Sequence, residues 1–310
     1  MAVADVVAAR CRRRRICSVK MLADRIPAPV KRLIHTGTRT YGRMTAANRL
    51  LPGFLLCGGQ RCGTTSLYRA LSLHPAVLKP VFHKGVHYFD TGYHNGVNWY
   101  RAHFPTRSSA LRIAEHTGLS PMAFESSPYY LYHPLAAERF ARDLPGVKMI
   151  VLVRDPVQRA RSQHAHEVAR GFEPLTDFRH ALDAETDRLA GETEQLQRDP
   201  DHYSFSHQHH AYTSRGRYAD HLERIARVVA PERILVVDSG DFFTDPETVY
   251  DRILRFLGLP WLGEPVFAKH NARPNKAPLA DDVDRRLDNF FRPHDARLAE
   301  WLGKTPSWRR

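Results

Sequence analysis

The residues best suited to chemistry in this 310-residue chain follow a short predicted strand. Residues 54–57 (FLLC) form that strand, residues 59–65 (GQRCGTT) a glycine-punctuated loop, and residues 65–73 a predicted helix with one apolar face. Such a loop directs backbone N–H groups and the positive end of the helix dipole at an anion. An ATP-binding phosphate loop has lysine directly after its last glycine, whereas this chain has Thr64 there and a cation, Arg61, before the glycine. The pattern favours a ligand with one 5′-phosphate that carries a short terminal group; the alternative is a tight turn that only packs helix on strand.

A second candidate cluster follows the clearest strand, residues 148–153 (KMIVLV), whose near-continuous apolar run is typical of a central parallel strand. Arg154 comes directly after it, and its guanidinium can bind a phosphate through two parallel hydrogen bonds. Ser162, one to two helical turns further on, can place its hydroxyl on the same phosphate. The alternative for Arg154 is a structural ion pair with Asp155 or another acid.

Further strands are predicted at residues 122–124 and 233–237. Strands that alternate with helical patterns predict an α/β fold, here a single P-loop-like domain with a mostly parallel central sheet flanked by helices. In such sheets ligands bind beyond the carboxyl ends of the strands. The candidate site is therefore expected at residues 61–66, at residues 125–128 and from Arg154 onward.

The charge is distributed unevenly along the chain, and this predicts its domain organisation. Residues 1–50 hold 12 of the 46 Lys and Arg but only two of the 33 Asp and Glu. Most of the net charge of +13 therefore comes from these fifty residues. We predict a basic arm over residues 1–50 and one domain over residues 51–310, with a polar insertion or lid at residues 183–210. The arm is a solvated extension, a peripheral contact with an anionic surface such as nucleic acid or acidic lipid, or an organelle transit peptide.

The cysteine pattern bears on compartment and metal binding. The four cysteines, Cys11, Cys17, Cys57 and Cys62, contain no C-x-x-C pair, which disfavours a disulfide framework and favours a reducing, cytoplasmic location. No run of 18 apolar residues occurs, so no transmembrane anchor is predicted. The histidine-rich stretch at residues 207–210 has no accompanying ligand pattern, and no metal site is predicted.

Together, the motifs resemble the sulfotransferases that use 3′-phosphoadenosine 5′-phosphosulfate (PAPS), specifically the heparan-sulfate-type and bacterial branches. The resemblance spans residues 52–308. It rests on five segments in the family's order, 60–66 (QRCGTTS), 87–90 (HYFD), 154–162 (RDPVQRARS), 215–222 (RGRYADHL) and 269–274 (KHNARP). It implies that the chain is an enzyme that moves a sulfuryl group from PAPS, its co-substrate, to a hydroxyl or amine of a small-molecule or glycan acceptor, with a carbohydrate or glycolipid favoured and no metal required.

The resemblance also implies site residues. Arg61, Gly63, Thr64, Thr65 and Ser66 are expected to hold the 5′-phosphosulfate, and Arg154 and Ser162 the 3′-phosphate. Further contacts to the nucleotide are expected from a tyrosine and a C-terminal loop, namely Tyr218, Lys269, Asn271 and Arg273.

The catalytic assignment follows from the charge that develops on the oxygen bridging to the 5′-phosphate. Arg61 and the loop N–H groups are suited to stabilise it, with Lys84 as a second cation. His87 is the first choice for the base that takes the acceptor's proton, with Glu125 and Asp90 as alternatives. The structural alternative is that His87 is a packed histidine that only orients its loop.

Three positions depart from the heparan-type pattern: Arg61 stands for lysine, Gly85 for the usual carboxylate, and Ser126 for a lysine. They concern the base and the acceptor class, not the nucleotide. Two other functions stay open at this stage. One is a P-loop kinase or NTPase. The other is a catalytically silent module that binds 3′-phosphoadenosine 5′-phosphate (PAP) or nucleic acid.

Overall fold

A computed structural model describes residues 40–263, 265, 267 and 281–310 of the chain. Its centre is a sheet of five strands in the order β2-β3-β1-β4-β5, and every neighbouring pair is parallel. The strands are β1 (Pro52–Gly58), β2 (Val77–Leu78), β3 (Met122–Glu125), β4 (Lys148–Val153) and β5 (Ile234–Asp238). The predicted α/β class with a mostly parallel sheet flanked by helices is confirmed.

The register brings the carboxyl ends of the central strands to one edge of the sheet. Cys57 of β1 lies opposite Val151 of β4, and Val153 of β4 lies opposite Asp238 of β5. At the end of β1 only glycine fits, because a Cβ on Gly58 would lie 2.3 Å from the carbonyl oxygen of Leu152. The chain can therefore leave β1 close against β4 and turn directly into the loop that follows.

Helices flank the sheet. Those that the structure describes are α1 (Thr64–Leu71), α2 (Val97–Arg101), α3 (Arg107–Thr117), α4 (Ala136–Asp143), α5 (Pro156–Ala169), α6 (Phe178–Asp183), α7 (Glu185–Leu189), α8 (Glu192–Arg198), α9 (Phe205–His209), α10 (Tyr218–Ala226), α11 (Ser239–Thr244), α12 (Pro246–Leu257) and α13 (Asp281–Leu302). Within these described residues, no helix has both the length and the apolar character that a bilayer crossing needs.

The strands predicted at residues 54–57, 148–153 and 233–237 are confirmed as β1, β4 and β5, and β3 extends one residue beyond the predicted 122–124, to Glu125. The two-residue strand β2 and most of the helices, α11 among them, were not predicted. Residues 183–210, predicted as a polar insertion or lid, form three short helices whose inward side chains include Glu185, Leu196 and His207. A lid function for this segment stays a prediction.

Candidate functional site

The loop after β1 presents its backbone to the space beyond the sheet. Arg61 has φ 75° and Gly63 has φ 88°, both in the left-handed region, which is unusual for an arginine. Gly63 is the N-cap of α1 and offers no side-chain cap, so the first N–H groups of the helix are not satisfied by a capping side chain. Ser239, which directly follows β5, donates its hydroxyl to the carbonyls of Cys62 (2.6 Å) and Val153 (2.8 Å). The loop is thus a fixed anion cradle at a helix N-terminus.

Lys84 supplies a positive charge directly at this cradle. Its Nζ lies 3.1 Å from the hydroxyl oxygen of Thr65 and 3.4 Å from that of Thr64. Burial, with a smaller effect of the Arg69 charge, lowers the pKa of Lys84 to about 8. Among the residues that the structure describes, no carboxylate lies within ion-pair distance of Lys84, so its charge is not neutralised by the protein.

The two predicted phosphate clusters lie side by side. The Nε of Arg61 donates to the hydroxyl of Ser162 at 3.0 Å, and Arg154 donates to the carbonyl of Arg61 at 3.2 Å. The Arg61 side chain therefore points toward the serine that was assigned to the 3′-phosphate, while Lys84 contacts the hydroxyls assigned to the 5′-phosphosulfate.

Arg154 is not held by a structural ion pair in the described part of the chain. Asp155, the alternative partner, instead caps α5 and accepts from the N–H groups of Val157 and Gln158. Tyr218 is buried behind the loop, where its hydroxyl donates to the carbonyl of Arg154 at 2.9 Å and lies 3.5 Å from the sulfur of Cys62. Tyr218 thus contacts one residue of each cluster, through the backbone of Arg154 and the side chain of Cys62.

His87 lies in the segment between Lys84 and Asp90, with φ 57°. Its Nδ1 is 2.8 Å from Oδ2 of Asp90, whose side chain is fully buried, whereas 42% of the His87 side chain is exposed. Burial lowers the pKa of His87, but the charge of Asp90 and the hydrogen bond to it outweigh burial and raise the pKa above its ordinary value. His87 therefore has the surroundings of a group that can exchange a proton.

Glu125 is enclosed by donors. Its Oε1 accepts from the backbone N–H of Val86 (2.9 Å) and of His87 (3.3 Å), and its Oε2 accepts from the hydroxyl of Tyr100 (2.7 Å). Tyr130 donates to the same carboxylate, and the side chain is inaccessible to solvent. In this arrangement Glu125 fixes the segment that carries His87.

One network at the site was not predicted as a unit. The side-chain amide of Gln60 donates to Glu167 of α5 at 2.8 Å and accepts from Arg215 at 3.0 Å. Glu167 also contacts Nδ1 of His209, at 3.0 Å. No spacing rule could have found it, because the contact between Gln60 and Glu167 joins residues 107 positions apart.

Several other aromatic side chains near the site lie in the protein interior. Tyr129 and Tyr130 are buried, and the Tyr129 hydroxyl is 2.7 Å from Nδ1 of His207, which is buried as well. In the described residues no group of three or more His, Cys, Asp or Glu side chains is placed to hold a metal ion. Three of the residues expected to contact the nucleotide, Lys269, Asn271 and Arg273, lie outside the described part of the chain.

Comparison with known proteins is consistent with this geometry. Human bifunctional heparan sulfate N-deacetylase/N-sulfotransferase 3 is 28% identical over 292 residues, which cover 84% of this chain and 31% of the human protein. Bovine bifunctional heparan sulfate N-deacetylase/N-sulfotransferase 2 is 29% identical with the same coverages. The chain thus spans about a third of the length of these relatives. The solved sulfotransferase structure from Alicyclobacillus acidocaldarius superposes with a TM-score of 0.60 at 27% identity and covers 84% of this chain and 99% of that one.

The match to a family is the more specific result. The sulfotransferase domain matches residues 51–271, which run from the start of β1 past the end of α12 and include every element that contributes to the site. This chain belongs to the sulfotransferase domain family.

Proposed function

We propose that the chain transfers a sulfuryl group from PAPS to a hydroxyl or amine of a carbohydrate acceptor. The family implies PAPS as the donor. The observation that carries the proposal is the set of cations at neighbouring strand ends, with Lys84 at the hydroxyls of Thr64 and Thr65 and Arg154 beside Arg61 and Ser162. Lys84 and Arg154 have no carboxylate partner among the described residues, which suits a ligand that carries two anionic groups.

The residues fit the donor by their chemistry. Thr64, Thr65 and the open N–H groups of the loop would hold the 5′-phosphosulfate, and Arg154 with Ser162 would hold the 3′-phosphate. PAPS supplies an activated sulfuryl group and leaves as a bisphosphorylated nucleotide. Lys84 lies where negative charge on that nucleotide would develop, so it is the cation that we assign to charge stabilisation. Arg61 then bridges the two halves of the site rather than serving the 5′ end alone.

We assign the proton transfer to His87 and Asp90. When Nδ1–H donates to Asp90, Nε2 carries the lone pair that can accept the proton of an acceptor hydroxyl or amine as the new S–O or S–N bond forms. Asp90 orients the ring and stabilises the imidazolium, as an aspartate does in a serine protease. Glu125 is set aside as the base because its oxygens are already occupied by five protein donors and are closed to solvent.

The acceptor class is inferred from the relatives. The printed names of the curated relatives specify N-sulfation of heparan sulfate, which supports a glycan acceptor here. Because the chain spans 31% of their length, the deacetylase activity in those names is not carried over. A P-loop kinase is disfavoured because Thr64 stands where that loop needs lysine.

We propose the domain organisation and the compartment on physical grounds. We propose a catalytic domain over residues 51–310, with the basic residues 1–50 as an arm that can contact an anionic surface. A reducing, cytoplasmic compartment is proposed because Cys57 and Cys62, the cysteines within the described residues, are both unpaired and buried. We also propose that catalysis needs no metal, since cationic side chains already serve the anionic groups of the donor.

Nucleotide binding tests the proposed function. We expect PAP to raise the melting temperature while AMP and ATP at equal concentration have little effect, because only PAP has both the 3′- and 5′-phosphates. Arg154→Met should weaken PAP binding by about 10- to 100-fold, the loss of a charge-assisted hydrogen-bond pair. Arg255→Met, which alters an arginine paired with Asp251 on α12, is the matched control and should bind PAP normally. Equal stabilisation by ATP, or unchanged PAP affinity in Arg154→Met, would contradict the assignment.

A further inference from the structure

An exposed aromatic surface lies beside the segment that follows α8. It consists of Phe172, Tyr203, Phe205 and Arg170, and we refer to it as the aromatic surface. Tyr203 is 51% exposed and Phe205 is 40% exposed, which is unusual for two large aromatic residues only two positions apart. Phe172 is half-buried beneath them and Arg170 is exposed.

The rings of this surface pack on one another and on a histidine. The ring centroids of Phe172 and Phe205 are 5.7 Å apart, and both rings contact His209, at 4.7 Å and 4.5 Å. The guanidinium of Arg170 lies 4.3 Å from the ring centroid of Phe172, and no carboxylate of the described residues lies within ion-pair distance of it. The aromatic surface is therefore a preformed apolar face with a cation at its edge.

Hydrogen bonds connect this surface to the donor loop. The Tyr203 hydroxyl is 3.4 Å from Nε2 of His209, whose Nδ1 is 3.0 Å from Glu167. Glu167 accepts in turn from Gln60, the residue before Arg61 in the loop. The charges of Glu167 and Arg170 also reach Tyr203, whose pKa is raised mainly by burial, further raised by Glu167 and lowered by Arg170. The aromatic surface is thus connected to the donor loop through three successive hydrogen bonds.

We propose that the aromatic surface binds a sugar ring of the acceptor, with Arg170 paired to an anionic substituent of the same glycan. This rests on the proposed function and adds to it a subsite and a ligand class, an anionic oligosaccharide. The flat apolar face of a pyranose packs on aromatic rings, while the Tyr203 hydroxyl can bond its ring substituents. An unpaired, half-stacked guanidinium suits a carboxylate or sulfate through two parallel hydrogen bonds.

The test measures oligosaccharide binding to the full chain by calorimetry. The probes are a de-N-sulfated heparin tetrasaccharide, a chondroitin tetrasaccharide and the uncharged maltotetraose. We expect Tyr203→Ala and Phe205→Ala each to weaken binding of the anionic probe that binds best by about 10-fold, and Arg170→Met to weaken the anionic probes only. Phe290→Ala is the matched control, since Phe290 is 41% exposed on α13, and it should change nothing.

Each result decides between the alternatives. Tyr203 is the more exposed of the two rings, so Tyr203→Ala still tests the subsite if Phe205→Ala fails to fold. The melting temperature of each variant shows whether it is folded. Unchanged oligosaccharide affinity in both variants, or no binding of any of the three probes to the parent protein, overturns the subsite. Binding of anionic phospholipid vesicles that depends on Phe205, without sugar binding, overturns it in favour of a membrane contact. PAP binding is measured in the parent protein and in every variant. A parent protein that does not bind PAP would refute the proposed function instead of the subsite.

Discussion

His87 is held in a backbone conformation that few residues other than glycine adopt, and this determines what its ring can do. Gly85, two residues earlier, has φ 78°, and a Cβ there would lie 3.3 Å from Nε2 of His87. A carboxylate at this position would therefore require a strained backbone and would crowd the imidazole. The glycine leaves Nε2 unobstructed on that side, while Asp90 binds Nδ1. The geometry explains how a site without an acid at position 85 can retain a base.

The first residue-scale prediction concerns the pH dependence of transfer. The pKa of His87 is raised above its ordinary value, and only the neutral ring can accept a proton. The rate should therefore fall as the pH drops through this raised pKa. Asp90→Asn removes the charge that raises it, so the acid limb should move to lower pH. The plateau rate should also fall, because asparagine no longer fixes the tautomer.

A pH–rate profile from about pH 5 to about pH 9, with PAPS saturating and an acceptor that does not titrate in this range, measures the shift. Asp143→Asn is the matched control, because Asp143 accepts from the Tyr88 hydroxyl of the same segment but does not contact His87. An acid limb that stays in place in Asp90→Asn, together with a parent-like rate for His87→Ala, would assign the base to another group.

Individual residues differ in how far the sequence alone could place them. The proximity of Arg154 and Ser162 to the loop was predictable, because adjacent parallel strands end at the same edge. The direction of the Arg61 side chain was not, since it depends on a left-handed φ at that residue. The contact between Lys84 and Thr65 was not predictable either, because 19 residues separate them. Strand β2 and the turn within that interval have no strong hydrophobic pattern.

At the scale of elements, the donor loop is fixed from three directions. Ser239 at the start of α11 holds the carbonyl of Cys62, Arg154 after β4 holds that of Arg61, and Glu167 of α5 holds the side chain of Gln60. The first two contacts act on the backbone near the sheet. The third connects the loop to the outer helices, because Glu167 also binds His209 of α9. Arg215, which donates to Gln60, likewise donates to the carbonyls of His207 and Gln208 in α9. The loop conformation is thus coupled to the segment that ends at residue 210.

Shortening this third support should weaken donor binding. Glu167→Asp keeps the charge but withdraws the carboxylate by one methylene, which breaks the contact with Gln60. We expect PAP affinity to fall by about 5- to 10-fold, roughly the worth of one ordinary hydrogen bond, because the lost contact acts on the nucleotide only through the loop. Amide exchange in the loop should become faster even without ligand. Calorimetry and hydrogen exchange measure the two effects.

The matched control is Glu173→Asp. Glu173 is equally buried and binds Arg188 and Tyr212, but it makes no contact with the loop. This variant should lose comparable stability and keep the parent affinity for PAP. Equal PAP affinities in the two variants, with unchanged loop exchange in Glu167→Asp, would show that Glu167 has no positioning role.

The elements were predictable to the extent that their buried faces are apolar. Strand β4 is a continuous apolar run, and its predicted bounds match the observed ones. Residues 183–210 appeared to be a polar insertion because their inward groups include Glu185, which accepts from the N–H groups of Thr213 and Ser214, and the histidines of α9. A buried face satisfied by hydrogen bonds has no hydrophobic period, so sequence pattern cannot distinguish it from solvent-exposed chain.

For the whole molecule, three buried histidines determine the response to acid. His133, His207 and His221 are buried around Tyr129 and Tyr132. Burial lowers their pKa values to about 4, about 2 and about 3 respectively. The charge of Arg224 lowers all three pKa values, and that of Arg215 lowers the pKa values of His133 and His207. In the opposite direction, Asp90 raises the pKa of His133 and Asp220 that of His221. The folded protein therefore keeps these three rings neutral at any pH near neutrality.

We expect the free energy of unfolding to fall steeply between about pH 7 and about pH 5. In the unfolded chain the three histidines bind protons below about pH 6.5, whereas in the folded protein they do not until the pH approaches 4 or less, so acid favours unfolding by about 1–2 kcal/mol per histidine at pH 5. His87 opposes this trend, because its raised pKa favours the folded protein as the pH falls, but it is one group against three.

Urea unfolding at pH 7, 6 and 5 measures how steeply the free energy of unfolding depends on pH. His221→Gln can keep the hydrogen bond to the Ser214 carbonyl and removes one titrating ring, so it should reduce the slope by roughly a third of the contribution of the three histidines. Stability that is flat or rising from pH 7 to pH 5 would mean that these rings accept protons within the folded protein, and that the interior beside the site is open to water.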